Sequence, residues 1–560
     1  MVHLDIQCCE YCSWLPPLGQ LSNLKKLRIG KMKSVKSIGS EFYGSDSPLF
    51  QPFPLLESLK FNSMLEWEEW KLSGGTSTMF PRLTRLSLKH CPKLNLDIPL
   101  GQLGNLKELI IEGMKSLKTL GTEFYGSSSS PLFQPFPSLE TLKFREMEEW
   151  EEWKLIGGTT IEFPSLKLLS LYKCPKLKGN IPGSLPSLTS LSLKYCTNLK
   201  GMTPNNLHSL SELVLEKCPL LMDSRHLDDN SNIIITSPSS DVFSQLMICL
   251  SSLQRIILRN IPSLTSFPRD GLPKTLRSLR ILECENLEFL PHESFHKYKS
   301  LEDLFIYSSC NSMTSFTLCS LPVLKTLYID NCKNLKSILI VEDELQHNLL
   351  FLRSIKIWNC NELESVSLCG LPIPNLIHLT LGFCEKLRSL PEPINILASL
   401  QEMSIWGLPN LQSCSINDFP ISLRKLDVER VGGVLWNTTW EHLTSLSVLQ
   451  INGDDTVKAV MNMEVGLLPI SLVTLSIAYV QDIVCLDGLS LHHLTSLENL
   501  ELSCCNNLKS LPKKGFPSSL KELTIEECPL LKASLLGKRG KEWRKIAHIP
   551  TIVIDRELIT

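Results

Sequence analysis

With 56 basic and 58 acidic side chains in 560 residues, a net charge of −2, the chain presents no overall field to attract nucleic acid or an anionic membrane. At 43% hydrophobic and 20% charged it has material for a continuous core and too little charge for general disorder. No run of about 18 apolar residues marks a membrane span, and the opening MVHLDIQCCEYC lacks the regions of a secretory leader, so the cytoplasm, with the nucleus as a second site, is the expected location.

One unit recurs from the first residue onward. It is clearest in LIHLTLGFCEKLRSLP, Leu376 to Pro391, with leucine-type residues at positions 1, 4 and 6, Cys384 at position 9 and Leu387 at position 12. Copies start at Met1, Leu24, Leu56, Leu83, Leu106, Leu139, Leu166, Leu188, Leu210, Leu253 and Leu276, then at Leu301, Leu324, Leu352, Leu376, Leu400, Leu423, Leu446, Leu472, Leu497 and Leu520, 21 in all. A repeat of this length means a stacked array rather than a set of globular domains. The copy at Met1 has no polar cap before it, so residues upstream of it are expected.

The first segment, 1–222, contains a larger repeat: residues 18–99 match 100–182 almost residue for residue, both carrying EFYGS, PLFQPFP and EWEEWKL. The EWEEW segments, Glu66 to Trp70 and Glu149 to Trp153, are read as convex-side turns whose tryptophans cover the core, against the alternative of an aromatic binding surface. Residues 223–249 are polar and turn-rich and form an expected irregular insertion. Regular coils resume over 250–531, and 532–560 form a basic, partly helical tail that ends in a short apolar strand able to cap the last coil.

In L-x-x-L-x-L, positions 4 and 6 face one way and position 5 the other, the period of a strand with one buried face. Leu379 and Leu381 point inward, Thr380 outward, and Leu387 and Leu390 return to the same interior. The expected fold is therefore an α/β solenoid, a curved superhelix with a long concave parallel β-sheet and short helical or irregular convex segments. Eleven of the 20 cysteines fall at position 9, where a small buried thiol suits the turn leaving the strand; register explains them better than disulfides do.

No catalytic, nucleotide-binding or metal constellation stands out: there is no G-x-x-x-x-G-K-[ST], no H-E-x-x-H and no paired C-x-x-C array, and no cofactor is expected. Outward positions 3, 5 and 7 are the informative ones, because the core does not dictate them. In the coils from Leu301 to Leu400 they include Phe305, Tyr307, Tyr328, Trp358 and Trp406, with Gly382 as a notch between the two tryptophans. Aromatics there are the candidate binding residues for a protein ligand; the alternative is that they cover one another across the ladder. Arg255, Arg259, Lys425, Asp427 and Glu429 are read as a solvated rim.

The cysteine-bearing repeat, the segments LPPLGQLSNLKKLRI, IGSEFYG, FPLLESLKF, EWEEW and LSLKHCPKL, and the ending GKEWRKIAHIPTIVID together resemble the leucine-rich-repeat region of plant intracellular nucleotide-binding disease-resistance proteins of the coiled-coil type. The resemblance implies a recognition and autoinhibitory domain whose partners are a pathogen effector or guarded host protein and a nucleotide-binding switch domain. No phosphate loop occurs in this sequence, so no nucleotide is assigned to it. A fragment of an extracellular leucine-rich-repeat receptor, for which GNIPGSLPSL from Gly179 speaks, and a stand-alone repeat protein serving as scaffold or regulator are the alternatives.

Overall fold

The computed structural model describes residues 2–44, 50–71, 79–126, 133–156, 160–179, 181–200, 207–219, 226–227, 233–234, 250–267, 271–319, 321–340, 349–367, 373–391, 393–411, 419–431, 440, 442–461, 468–489, 491–535 and 540–559. Two compact units divide it at Leu287/Glu288.

Each of the 21 repeats places positions 3 to 7 on a β-strand, eleven in the first unit and ten in the second. Within each unit successive strands pair in parallel and in identical register. In the second unit His378–Gly382 lies between Ser354–Trp358 and Glu402–Leu408, with Leu379 opposite Ile355 and Met403. Register is imposed by the pleat: a slip of one residue would turn every core leucine outward. In the coil at Leu376 the side chains of Leu376, Leu379, Leu381, Cys384, Leu387 and Leu390 are all buried. Each large apolar one contributes about 1.5–3 kcal/mol before the cost of ordering the chain. Both units are thus leucine-rich-repeat solenoids with a parallel sheet and few helices.

Beyond the strand, each coil turns in the same way. Position 8 is left-handed in all 21 copies, with φ between 46° and 84°, although only three of these residues, Gly113, Gly407 and Gly453, are glycine. In most coils its N–H still donates to position 7 of the next, as Asn359 does to the Gly382 carbonyl at 2.9 Å; Arg430 donates instead to the Thr456 hydroxyl at 3.0 Å. The position 9 thiol donates back to the position 7 carbonyl of its own coil, as Cys384 does to Gly382 at 3.4 Å and Cys91 to Lys89 at 3.3 Å. All eleven position 9 cysteines make this bond. A left-handed L-residue costs about 1 kcal/mol, and each hydrogen bond the turn allows is of similar size. All cysteines among the described residues are free thiols.

A second, narrow parallel ladder follows the turn, formed by Ser315–Leu318, Ser337–Ile340 and Ser365–Ser367 in the second unit. In the first unit the EWEEW segments supply its strands: Glu69–Trp70 pairs with Ser37–Ile38, and Glu152–Trp153 with Thr119–Leu120. All four tryptophans are buried. Trp70 Nε1 donates to the Tyr43 hydroxyl and Trp153 Nε1 to that of Tyr125, both at 2.8 Å. The rings of Phe53 and Phe80 stack at 5.4 Å, those of Phe136 and Phe163 at 5.3 Å. These aromatics fill the interior of long coils that a leucine alone would leave hollow.

The expected insertion at 223–249 falls largely outside the described residues; within it His226–Leu227 pairs antiparallel with Ile233–Ile234. The ladder runs straight across this segment, since Glu212–Glu216 pairs with Arg255–Arg259 in unbroken register. At the far end of the second unit, Thr551–Ile554 adds a parallel strand to Glu522–Glu526. Helix Lys541–Ile546 is clamped to the coil at Leu497: Glu542 accepts from the Leu511 N–H at 2.7 Å, and Lys545 donates to the Leu511 carbonyl at 2.7 Å. No helix among the described residues is long and apolar enough to cross a membrane.

Candidate functional site

Five aromatics stand on the outward face of the second unit's strands. Phe305 and Tyr307 come from Asp303–Tyr307, Tyr328 from Thr326–Asp330, Trp358 from Ser354–Trp358 and Trp406 from Glu402–Leu408. Alternation along each strand sets them opposite the core leucines, and all five are half-buried.

Four of the five form a chain of contacts. Phe305 lies opposite Tyr328 in register, with ring centroids 5.6 Å apart. Lys356 Nζ stands 5.3 Å from the centre of the Tyr328 ring and 4.8 Å from that of Trp358, a cation shared between two π faces. Trp358 then meets Trp406 edge to face at 5.2 Å. Tyr307 lies opposite Asp330, beside this chain of rings.

The contact between the tryptophans depends on Gly382. They sit on strands two apart, about 9.6 Å at the usual strand spacing. Gly382, between them in register, has no side chain, and the Trp358 indole lies over it; a Cβ there would collide with the six-membered ring. The notch expected at Gly382 is therefore not open. It is filled from within by Trp358, which also packs on Phe383 at 5.1 Å. The glycine converts two separate indoles into one continuous surface.

Carboxylates lie beneath these rings. Asp330 is buried and accepts from the Tyr328 hydroxyl at 2.6 Å and from Asn359 Nδ2 at 3.1 Å. Burial, then the hydrogen bond to Asp330 and its charge, pushes the Tyr328 phenol up. Asp427, on Lys425–Val431, is buried as well, which corrects its reading as a solvated rim residue; burial pushes its carboxyl up to about 6, and Asn452 Nδ2 donates to it at 3.2 Å. The Trp406 indole N–H faces the Asp427 carboxylate and pulls its pKa down, against the larger effect of burial. Arg255 and Arg259 do form ion pairs at the surface of the first unit, with Glu212 at 3.0 Å and Glu283 at 2.8 Å. Periodicity alone identified the aromatic positions. The roles of Lys356, Asp330 and Asp427 depend on which neighbour each reaches across the ladder, and a single strand does not carry that information.

Fold and face together define a leucine-rich-repeat solenoid with an aromatic strip on its sheet. Among its relatives are plant disease-resistance proteins, one of them matching over the full chain. The disease resistance protein At3g14460 of Arabidopsis thaliana is 26% identical over 647 aligned residues, spanning 100% of this chain and 45% of its own length. The disease resistance RPP13-like protein 1 of the same plant is 32% identical over 313 residues, 55% of this chain and 21% of its own. The chain thus spans less than half the length of either relative. Among solved structures, TLR13 in its complex with ssRNA13 covers 98% of this chain and 83% of its own at 17% identity, with a TM-score of 0.46. No protein-family model matches.

Proposed function

We propose that the chain is the recognition and autoinhibitory repeat domain of a plant intracellular immune receptor, acting in the cytoplasm. It holds a protein ligand, a pathogen effector or a guarded host protein, on the strip formed by Tyr328, Trp358 and Trp406, with Phe305 and Tyr307 beside it. The carrying observation is the placement of this strip: five large aromatics on the one face that the leucine core does not need, two of them joined over Gly382. Large rigid aromatics give contact area at little conformational cost and dominate binding energy at protein interfaces.

The tandem blocks add support. Between the coils at Leu24 and Leu106 the core pairs Leu27/Leu109 and Ile29/Ile111 are kept apolar, whereas the outward positions change from Lys26, Arg28 and Gly30 to Glu108, Ile110 and Glu112. In this coil copying preserved the scaffold and altered the face. The earlier coils dock on a nucleotide-binding switch domain in the same or another chain, and the coils from Leu253 onward take the ligand. A ligand that grips only the released state shifts the balance toward it.

The test is the double substitution Trp358→Ala and Trp406→Ala in the full receptor, scored as defence signalling against the pathogen it answers to. Loss of a hot-spot pair weakens binding by about 2 kcal/mol or more, roughly 30-fold, and signalling fails. Unchanged signalling from a variant with wild-type circular dichroism would sink this reading.

A further inference from the structure

Three coils of the first unit bring one imidazole and two carboxylates together at the rim of the sheet. His90 is position 8 of the coil at Leu83, Glu112 position 7 of the coil at Leu106 and Glu146 position 8 of the coil at Leu139. Their donor atoms lie within 4.8 Å of one another, and His90 Nε2 is 3.5 Å from Glu112 Oε1.

The backbone accounts for the convergence. Glu108–Glu112 runs in register between Arg85–Lys89 and Thr141–Arg145, so His90 and Glu146 flank Gly113, the position 8 residue of the middle coil. Gly113 has φ 70°, and a Cβ built there would stand 2.5 Å from His90 Nδ1. Only glycine lets the imidazole lie across the middle coil toward Glu112.

The lysines nearby leave ligand atoms free. Lys89 Nζ holds Glu112 by Oε2 at 2.6 Å, while Oε1 is the oxygen facing His90. Lys173 Nζ holds Glu146 by Oε1 at 3.1 Å, which leaves Oε2. Each carboxylate is thus oriented through one oxygen, as outer partners orient ligands in metal sites. The corresponding rim positions in the preceding coils are Cys8, Gly30 and Ser63, and in the following coils Lys173, Lys194 and Lys217. The donor set is particular to this place.

We propose that His90, Glu112 and Glu146 form a site for a divalent transition-metal ion, with zinc as the fitting ion. One nitrogen and two oxygens with an open fourth position make a three-ligand zinc set, and tetrahedral donors sit roughly 3.3 Å apart when the metal–ligand distance is about 2 Å. The side chains of His90 and Glu146 are surface-accessible, so rotamer changes alone close the set.

The test titrates the full chain with Co²⁺ as a spectroscopic substitute for zinc, in a Cys8→Ser/Cys12→Ser background that removes the exposed terminal thiols. Expected is one saturable site with weak visible bands, no thiolate charge-transfer band, and displacement by Zn²⁺. His90→Ala and Glu146→Gln each weaken binding by about 10-fold or more. Glu149→Gln, a glutamate paired with Lys176 outside the site, leaves it unchanged. Metal-free melting temperatures verify that the variants fold. Absence of saturable binding in the background chain, or binding that survives His90→Ala, overturns the proposal.

Discussion

Asp427 differs in its surroundings from an ordinary surface carboxylate. Burial raises its pKa to about 6, against the Trp406 indole N–H that lowers it, so the folded protein takes up a proton that the unfolded chain, titrating near the usual value of about 3.9, does not. Between these two values the native state binds more protons. Stability therefore falls as pH rises from about 4 to about 6 and stays lower above that window. Asp427→Asn keeps the shape and removes the charge. Its melting temperature should exceed that of the wild type at pH 7.5 and converge with it at pH 4; equal melting temperatures at pH 7.5 would show that the carboxylate bears no such penalty. Periodicity placed Asp427 correctly on the outward face, yet outward did not mean solvated: the side chain is buried there.

At the scale of the coil, the sequence showed the strand and its buried face but not the turn that follows. Left-handed φ at position 8 is shared by lysine, glutamate, phenylalanine and asparagine alike, so residue type carries no signal; the hydrogen bonds on either side impose the conformation. The cysteine at position 9 is the readable trace of that turn, because its thiol bonds back across it. The longer coils use a different brace. Tyr43 and Tyr125 accept from Trp70 and Trp153 in the interior of the tandem blocks, and removing either hydroxyl orphans a buried indole N–H. Tyr43→Phe and Tyr125→Phe should each cost about 1–3 kcal/mol in denaturant unfolding. Because the two environments match, the two losses should be alike. A loss below a few tenths of a kcal/mol in either would mean that water reaches the indole.

Across the whole molecule, the repeat count and the copied block were legible before any coordinate, since they follow from spacing alone. The continuity of the ladder from Glu212–Glu216 to Arg255–Arg259 was not, because 223–249 reads as a break in composition while the coils on either side stay in register. Stability in such an array is a sum over coils and their neighbours. Deleting 100–182 joins Pro99 to Gly183, the residue that follows Pro182, and sets Leu83, Leu86, Leu88 and Cys91 where Leu166, Leu169, Leu171 and Cys174 had been. The shortened chain should fold, with a melting temperature within a few degrees of the parent. Aggregation or a non-cooperative melt would show that coils are not interchangeable across the block.

The thiols make this additivity observable. Among the described residues, eleven coils each hold one buried cysteine, from Cys91 to Cys528. Burial pushes the Cys91 thiol up to about 12, far from the reactive thiolate. Such a sulfur meets an alkylating reagent only when its own coil opens, so the labelling rate at each cysteine is a clock for that coil. The chain carries, in eleven of its coils, its own set of probes for where the stack first comes apart.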